Sequence, residues 1–264
     1  MSAERQPNLS DRHTENAAAH EPVLIPISEI LGEAAATPQT HRLPTANDWL
    51  LWQLADSAFP TGGFAHSAGL EAAWQHGEIR NRNELASFID ASLNQFGHAS
   101  IPFMAAAHKQ SGKLPEFDDL CHVFLSNHVA NRASRLQGQA LLASARRIFH
   151  SPALDQLQSF PDSPSHGHLA PIFGAVTAAL GVSLEPAASL FLFIHLRGLF
   201  AGAVRLGIVG PMEAQSLQHE FSQPARDILD RSLRLSIDDI AQTAPLQEIW
   251  QGAQDRLYSR LFQS

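Results

Sequence analysis

The chain has 264 residues, of which 44% are hydrophobic and 17% charged, and its formal net charge is -8 at pH 7. This composition allows a sizeable buried core and excludes general disorder, and the length suits one large domain, alone or with a tail. Because non-specific nucleic-acid binding depends on Lys and Arg meeting phosphate, the acidic balance argues against a nucleic-acid-binding protein.

The beginning of the chain predicts an extension followed by a helical domain. Residues 1–44 mix Pro, His, Thr, Asn and Glu and hold one short apolar patch, so we expect a flexible N-terminal extension. The first fifteen residues are polar and lack the apolar centre of a secretory signal. The folded domain is assigned to residues 45–264, and Asn47 is the expected N-cap of its first helix.

Proline and glycine divide the next part of the chain into helices. The run FPTGG at residues 59–63 predicts a turn, because proline fixes one backbone dihedral and glycine relieves the next. A second helix is expected over residues 65–76. A long third segment should be capped by Asn83 and kinked or divided by Pro102. Pro115 suits a first helical turn and predicts another start.

The most apolar run of the chain, residues 190–206, predicts a buried core helix. It contains His195, Arg197 and Arg205, and each charge at mid-bilayer would cost roughly 3 kcal/mol, so we do not expect a membrane span. Residues 149–169 should be mostly loop. Helices are expected over about 170–180 and 186–206.

The remaining elements complete an all-helical pattern. Gly198 and Gly202 lie on one helix face and predict close approach of another helix, either within the monomer or at a subunit contact. Further helices should begin near Gly210, Ser222 and Pro245. Since no alternating strand pattern, repeat or second domain is visible, the predicted fold class is all-α, a single-domain helical bundle with a flexible N-terminal extension and a short C-terminal tail.

The sequence lacks the familiar motifs of catalysis. Its one Gly-Lys pair, at residues 112–113, is followed by Leu114 where a P-loop has Ser or Thr, and neither Gly-x-Ser-x-Gly nor His-Glu-x-x-His occurs. The lone cysteine, Cys121, sits among apolar residues at helical spacing and should be a buried, inert thiol. We therefore predict that the protein is not an enzyme. Since the sequence shows no secretory signal and no membrane span and has one cysteine, we also expect it to be cytoplasmic.

Fourteen histidines raise the question of a metal site. His166 and His168 form the closest pair but lie in the predicted loop, and two ligands alone make an open, weak site. His122 and His128 are six residues apart, a poor spacing for one helix face. His66 follows the double glycine and is either a turn histidine or a contact for a partner or metal. No set of three or four ligands emerges from spacing, so the metal ligands stay unknown.

A polar helical segment offers a possible docking surface. Asn127, Asn131 and Arg135 recur every fourth residue and share a face, with Arg132 on the adjoining one. The face is either solvated or a surface for a protein partner, where arginine is favoured.

Five blocks, in order along residues 48–264, resemble the UreF family of urease accessory proteins. The first and longest is LADSAFPTGGFAHSAGLE at residues 54–71, which we call the signature segment. The others are NRASRLQG at 131–138, HLAPIFG at 168–174, AVRLG at 203–207 and LYSRLF at 257–262. The chain departs from the family pattern at Ala68, Gln254, Asp255 and Gln263, which affects details of partner contacts rather than membership.

The resemblance implies a helical homodimer that helps to mature urease by nickel incorporation. It implies a non-catalytic scaffold that bridges UreD, called UreH in some systems, and the GTPase UreG, acts on the urease apoprotein, and modulates GTP use by UreG. Nickel would be handled by the complex, with no cofactor bound stably by this chain. No nucleic acid or membrane is expected as a partner.

The resemblance and the residue patterns together select two groups of candidate site residues. The C-terminal tail, about residues 251–264, would bind UreD and should order on binding. The expected partner-binding residues are Tyr258, Ser259, Arg260, Leu261, Phe262, Asn131, Arg132, Arg135 and Arg205. The turn residues expected to contact a partner or passing nickel are Asp56, Ser57, Pro60, Gly62, Gly63 and His66.

Two other classes of function remain open at this level. The chain could be a nickel-binding carrier that uses its histidines, which tight stoichiometric nickel binding by the isolated chain would support. It could also be a helical enzyme whose site is assembled from distant positions, which GTPase activity of the isolated chain would favour.

Overall fold

The structure is a computed structural model that describes residues 45–157 and 166–264. The extension predicted over residues 1–44 lies outside the described residues, as does part of the predicted 149–169 loop. In the described ranges we number eleven α-helices and find no strand, so the all-α fold class is confirmed. The helices are α1 Ala46–Ala55, α2 Leu70–Gln75, α3 Arg82–Lys109, α4 Leu114–Phe124, α5 His128–Phe149, α6 Pro152–Gln156, α7 Leu169–Ala179, α8 Leu184–Arg205, α9 Pro211–Glu220, α10 Ser222–Ser232 and α11 Pro245–Ala253.

The first two helices begin at different residues from those predicted. Thr45 rather than Asn47 caps α1, because the Thr45 hydroxyl accepts from the Asp48 amide and the Asp48 carboxylate accepts from the Thr45 amide. The helix predicted over 65–76 begins only at Leu70. Ala68 and Gly69 have φ angles of 52° and 86°, and this left-handed backbone interrupts the helix.

Helix α3 is capped by Asn81 rather than Asn83, and Pro102 does not divide it. The Asn81 side chain accepts from the amides of Asn83 and Glu84. Pro102 has no N–H to donate to the His98 carbonyl one turn earlier. The Ala241 amide donates to that carbonyl instead, at 3.3 Å, so a distant loop satisfies it. The helix therefore runs unbroken for 28 residues.

Helices α3, α7 and α8 form the centre of the bundle. α7 packs against α3 and α5, and α8 packs against α3, α1 and α9. Among the described helices, α8 alone is long and apolar enough to cross a membrane, and 56% of its most apolar window is buried within the protein. Its inner side chains, including Leu199 and Phe200, belong to the hydrophobic core, so the predicted buried core helix is confirmed.

Glycines allow the closest packing between helices, but only one of the two predicted glycines, Gly202, does so. A Cβ at Gly202 would lie 3.4 Å from Leu70 Cδ2, so this position does pack closely. A Cβ at Gly198 would meet no atom within 4 Å, so the prediction is wrong for Gly198 within this chain. The tightest crossing is at Gly174 of α7, where a Cβ would overlap the Met104 carbonyl oxygen of α3.

We expect Gly174→Ala to lower the free energy of unfolding by about 1–3 kcal/mol, because two helix backbones would have to separate. Gly198→Ala is the matched control, since it adds the same methyl group to a helix in open space. It should leave stability unchanged or raise it by about 0.5–1 kcal/mol through helix propensity. Urea denaturation measures both, and equal effects of the two substitutions would contradict the close crossing.

Candidate functional site

The signature segment forms a rigid turn between α1 and α2. Asp56 ends α1, and its Oδ1 accepts from the Ala58 amide at 2.8 Å. Gly62, at φ 72°, leads into a short 3-10 turn over Gly63–Ala65. The Ser144 hydroxyl of α5 donates to the Pro60 carbonyl at 2.9 Å. The predicted turn residues thus have structural contacts, while Ser57 is exposed beside them.

The part of the C-terminal tail that follows α11, residues 254–264, lies along this turn. The Gln263 amide donates to the Ala65 carbonyl at 2.7 Å, and the Ser67 amide donates to the Ser264 carbonyl. The His66 Nδ1 and the Ser264 hydroxyl are also hydrogen-bonded. The turn and tail therefore form one continuous surface, although His66 and Ser264 are 198 residues apart in the sequence.

A buried carboxylate, that of Glu71, anchors the tail. Its Oε1 accepts from the Leu261 amide at 2.6 Å, and its Oε2 accepts from the Phe262 amide at 3.1 Å and from Gln254 Nε2 at 2.6 Å. Glu71 is 1% exposed, so these donors replace the water that the charge has lost. Sequence reasoning included Glu71 in the signature segment but missed its role. An acidic residue in the short, mostly apolar helix LEAAWQ was the available signal.

Arg205 and Phe262 fasten the tail from the other side. The Arg205 guanidinium lies over the Phe262 ring, 4.1 Å from its centroid, and donates to the carbonyls of Phe64 and Leu261. Phe262 is buried in the core beside Gly202. These two predicted partner residues therefore also hold the chain's own tail in place.

Two arginines and one histidine surround Asp255 at the edge of the tail. Arg132 of α5 binds it through two hydrogen bonds of 2.9 and 3.0 Å, and Arg260 approaches to 3.2 Å. His128 Nε2 lies 3.3 Å away. Hydrogen bonding from Arg132 is the main reason that the pKa of Asp255 is lowered. The contact between Arg132 and Asp255 thus ties α5 to the tail.

Two other members of the predicted α5 surface, Asn131 and Arg135, have buried polar atoms. Asn131 is buried, and its side chain donates at 3.1 Å to the carbonyls of His122 and Leu125, at the end of α4. The Arg135 Nε is buried and has no hydrogen-bond partner among the described residues. Asn131 therefore does not lie on an exposed docking face, whereas Arg132 does reach the surface.

The outer face of the turn and tail is apolar and exposed. Tyr258 is fully exposed, Phe64 is 76% exposed and Leu261 is 59% exposed. Ser259 is also exposed, and its carbonyl accepts from Gln75 Nε2 at 2.8 Å. We call the exposed side chains of Phe64, Tyr258, Arg260 and Leu261 the tail surface.

Behind the turn lies a cavity of about 550 Å³ that both His66 and His195 line. His195 Nε2 is 2.9 Å from the Ser92 hydroxyl, and its ring stacks on Phe96. Burial lowers the pKa of each histidine to about 4, aided for His66 by the charge of Arg132. Both imidazoles are therefore neutral near pH 7, the form that can ligate a metal.

The described residues provide no ready-made metal centre around this cavity. In residues 45–157 and 166–264, no group of three or more His, Cys, Asp or Glu side chains is arranged to hold one ion. Cys121 also lines the cavity but is 2% exposed, and burial raises the pKa of its thiol well above the usual range. The thiol is thus buried, as predicted, and its raised pKa favours the protonated form.

Comparison with known proteins identifies the class and then the family. A sequence model of the UreF family matches residues 79–222. The chain is 36% identical to urease accessory protein F of Oryza sativa subsp. indica, over 86% of this chain and 87% of that protein. It is 36% identical to urease accessory protein F of Arabidopsis thaliana, over 84% of this chain and 94% of that one. Urease accessory protein UreF of Mesorhizobium japonicum is 29% identical, over 78% of this chain and 92% of that one.

These relatives place the chain in the class of urease accessory proteins. The chain belongs to the UreF family, and the resemblance seen in the sequence is confirmed.

The geometry of Glu71 predicts what holds the tail to the turn. Glu71→Gln keeps the size of the side chain but removes the charge and replaces one acceptor oxygen with a donor group. Hydrogen bonds to a charged group are worth about 1.5–3 kcal/mol, so the amides of Leu261 and Phe262 should exchange with solvent roughly tenfold faster or more. Hydrogen exchange measures this directly, and trypsin cleavage after Arg260 should accelerate in parallel.

Glu78→Gln is the matched control, because Glu78 is exposed and lies outside the tail contacts. If Glu71→Gln leaves both exchange and cleavage as slow as in the control, the carboxylate does not hold the tail.

Proposed function

We propose that this protein is a non-catalytic scaffold in the maturation of urease, and that the tail surface is where it binds one of its partners. Family membership supports the role in urease maturation. The observation that carries the scaffold proposal is the tail fixed on the signature turn, which presents exposed aromatic, aliphatic and arginine side chains at one place. Such residues are enriched in protein interfaces and at their energetic centres.

The partners follow from the family resemblance and are part of the proposal. UreD, or UreH, binds at the tail surface, and the GTPase UreG binds elsewhere on the same scaffold and has its GTP use modulated there. The protein acts as a homodimer on the urease apoprotein in the cytoplasm. The complex handles nickel on its way to urease.

The structure changes how the tail is best tested. Removing residues 257–264 would also remove Phe262 from the core, so loss of binding could follow from local unfolding. Substituting the exposed side chains avoids this problem. In Tyr258→Ala/Leu261→Ala, backbone contacts to Glu71 remain while the apolar tail surface is lost.

We expect this double variant to lose at least tenfold in UreD affinity, since buried aromatic and aliphatic anchors contribute about 1–2 kcal/mol or more each. Co-purification and titration against UreD measure the loss. Met212→Ala is the control, because Met212 is a large apolar side chain that is 85% exposed on α9, outside the tail surface. Normal UreD capture by the double variant would remove the tail surface from the proposal.

His66 tests a second part of the proposal, that the cavity behind the turn is a passage for nickel. His66→Ala should leave partner binding intact but reduce urease activation in cells when nickel is limiting, with recovery when nickel is abundant. The reason is that His66 contributes a neutral imidazole to the cavity wall. His219→Ala, an exposed substitution on α9, is the control. Full activation by His66→Ala at limiting nickel would exclude a role for this side chain.

A further inference from the structure

Three histidines outside the turn and tail come together where the segment before α7 meets α4. The His122 ring of α4 stacks on the His166 ring, with centroids 3.7 Å apart and planes 4° from parallel. The His168 ring lies 5.4 Å from that of His122 and 6.0 Å from that of His166. We call these three residues the histidine cluster. The sequence singled out His166 and His168 as a pair, and the fold adds His122.

The backbone at the start of α7 is held in place beside this cluster. The Asp118 carboxylate of α4 accepts from the amides of Gly167 and His168 at 2.8 and 2.7 Å. The Ser134 hydroxyl of α5 accepts from the Leu169 amide at 3.1 Å. His168 itself is completely buried. The arrangement of the three rings is therefore tied to the contact of this segment with α4 and α5.

One hydrogen bond joins the two nearest nitrogens of the cluster. His122 Nδ1 and His168 Nε2 are 3.2 Å apart, so one of them is the donor and the other the acceptor. His168 Nδ1 is also 3.1 Å from the Ser134 hydroxyl. One added proton fits this arrangement, because a charged His168 donates from both of its nitrogens, to Ser134 and to His122. A second proton, on His122 Nδ1, would set two N–H groups against each other and remove the hydrogen bond.

The stacked pair opposes a second charge as well. The rings of His122 and His166 are in van der Waals contact, so two positive charges there would repel each other without water between them. His166 Nε2 is 3.5 Å from Asp119 Oδ1, so a charged His166 has an anionic partner, whereas its charge lowers the pKa of His122. The closed cluster therefore takes up fewer protons than three separate histidines in water.

Burial outweighs the charges around His122 and His168. The other ionisable groups that face this pair are His166, Asp118, Asp119 and Arg135, and the sequence of α7 contains none. Burial is the first cause that lowers the pKa of both histidines, and the pKa of His168 falls to about 4. The guanidinium lowers both values further, while the carboxylates act in the opposite direction without cancelling the effect of burial.

We propose that the histidine cluster is an acid-sensitive switch, which holds the start of α7 against α4 and α5 while its rings are neutral and releases it when they are protonated. Because the pKa values of His122 and His168 are lower in the closed cluster than in exposed histidine, the open state binds more protons. The contact is complete above pH 6.5, the ordinary value, and weakens as the pH falls from there toward 4. The switch contains no residue of the tail surface.

Hydrogen exchange of the full chain at several pH values tests the switch, with each rate divided by the intrinsic rate at that pH. Between about pH 6.5 and 5, the amides of Gly167, His168 and Leu169 should lose protection. The loss should reach up to about tenfold per pH unit for each proton taken up on opening. Helix α10 contains no histidine, and its amides should keep their protection because release is local. Protection at residues 167–169 that does not change with pH, or an equal loss in α10, would overturn the switch.

His122→Asn is the primary variant, because the asparagine amide takes the position of imidazole Nδ1 and can bond to His168 but does not titrate. Its loss of protection should be shallower than that of the wild type, by up to about tenfold per pH unit. His219→Asn is the matched control, since it removes an exposed histidine of α9 outside the cluster, and it should follow the wild type. Equal pH dependence in the two variants would exclude His122 from the switch.

Nuclear magnetic resonance of the histidine rings in the wild type provides a test that does not depend on the folding of any variant. We expect the rings of His122 and His168 to titrate below pH 6.5, with His168 the lower of the two. If both rings titrate at the ordinary value instead, closing the cluster releases no protons and the proposal fails. Circular dichroism at pH 7.5 should show that both asparagine variants are as helical as the wild type.

Discussion

The position of the C-terminal tail, and with it the tail surface, depends on one buried charge, the carboxylate of Glu71. A carboxylate taken out of water is unfavourable unless donors surround it. Helix α2 supplies one weak donor, Gln75 at 3.4 Å, so the other donors must come from the tail. Gln254 and the amides of Leu261 and Phe262 provide them. The need to satisfy Glu71 therefore specifies where the tail lies, and so which of its side chains face outward.

Tail docking also explains why the signature segment combines glycine, histidine and an acid. The left-handed backbone at Gly69 delays α2 until Leu70, which leaves the amide of Ser67 and the carbonyl of Ala65 available to pair with the tail. Arg205 then links the turn to the tail by donating to the carbonyls of Phe64 and Leu261. The polar groups of the signature segment are used to join two distant parts of the chain.

The sequence predicted those features that local physics controls. Helical periodicity and proline at first turns located most helices, including α4, α7 and α8, within a few residues. Local reasoning failed where a distant group decides the outcome. Pro102 does not divide α3 because the Ala241 amide reaches the His98 carbonyl. His122 joins His168 across 46 positions, which no spacing rule along one helix could show. Glu71 was overlooked for the same reason, since its donors lie about 190 residues away.

Helix α5 contacts both the C-terminal tail and the segment at Gly167 and His168 that precedes α7. Arg132 reaches Asp255 on the tail side, while Ser134 contacts His168 on the other, only two residues along. Because residue 138 of α5 is a glycine, the backbone at Gly167 can approach this helix closely. A Cβ on Gly138 would overlap the Gly167 carbonyl oxygen. A helix is stiff over this distance, so α5 fixes the position of Asp255 relative to that of His168. Asn131 and Arg132, which the sequence assigned to a face that is either solvated or a docking surface, thus make contacts within the chain itself.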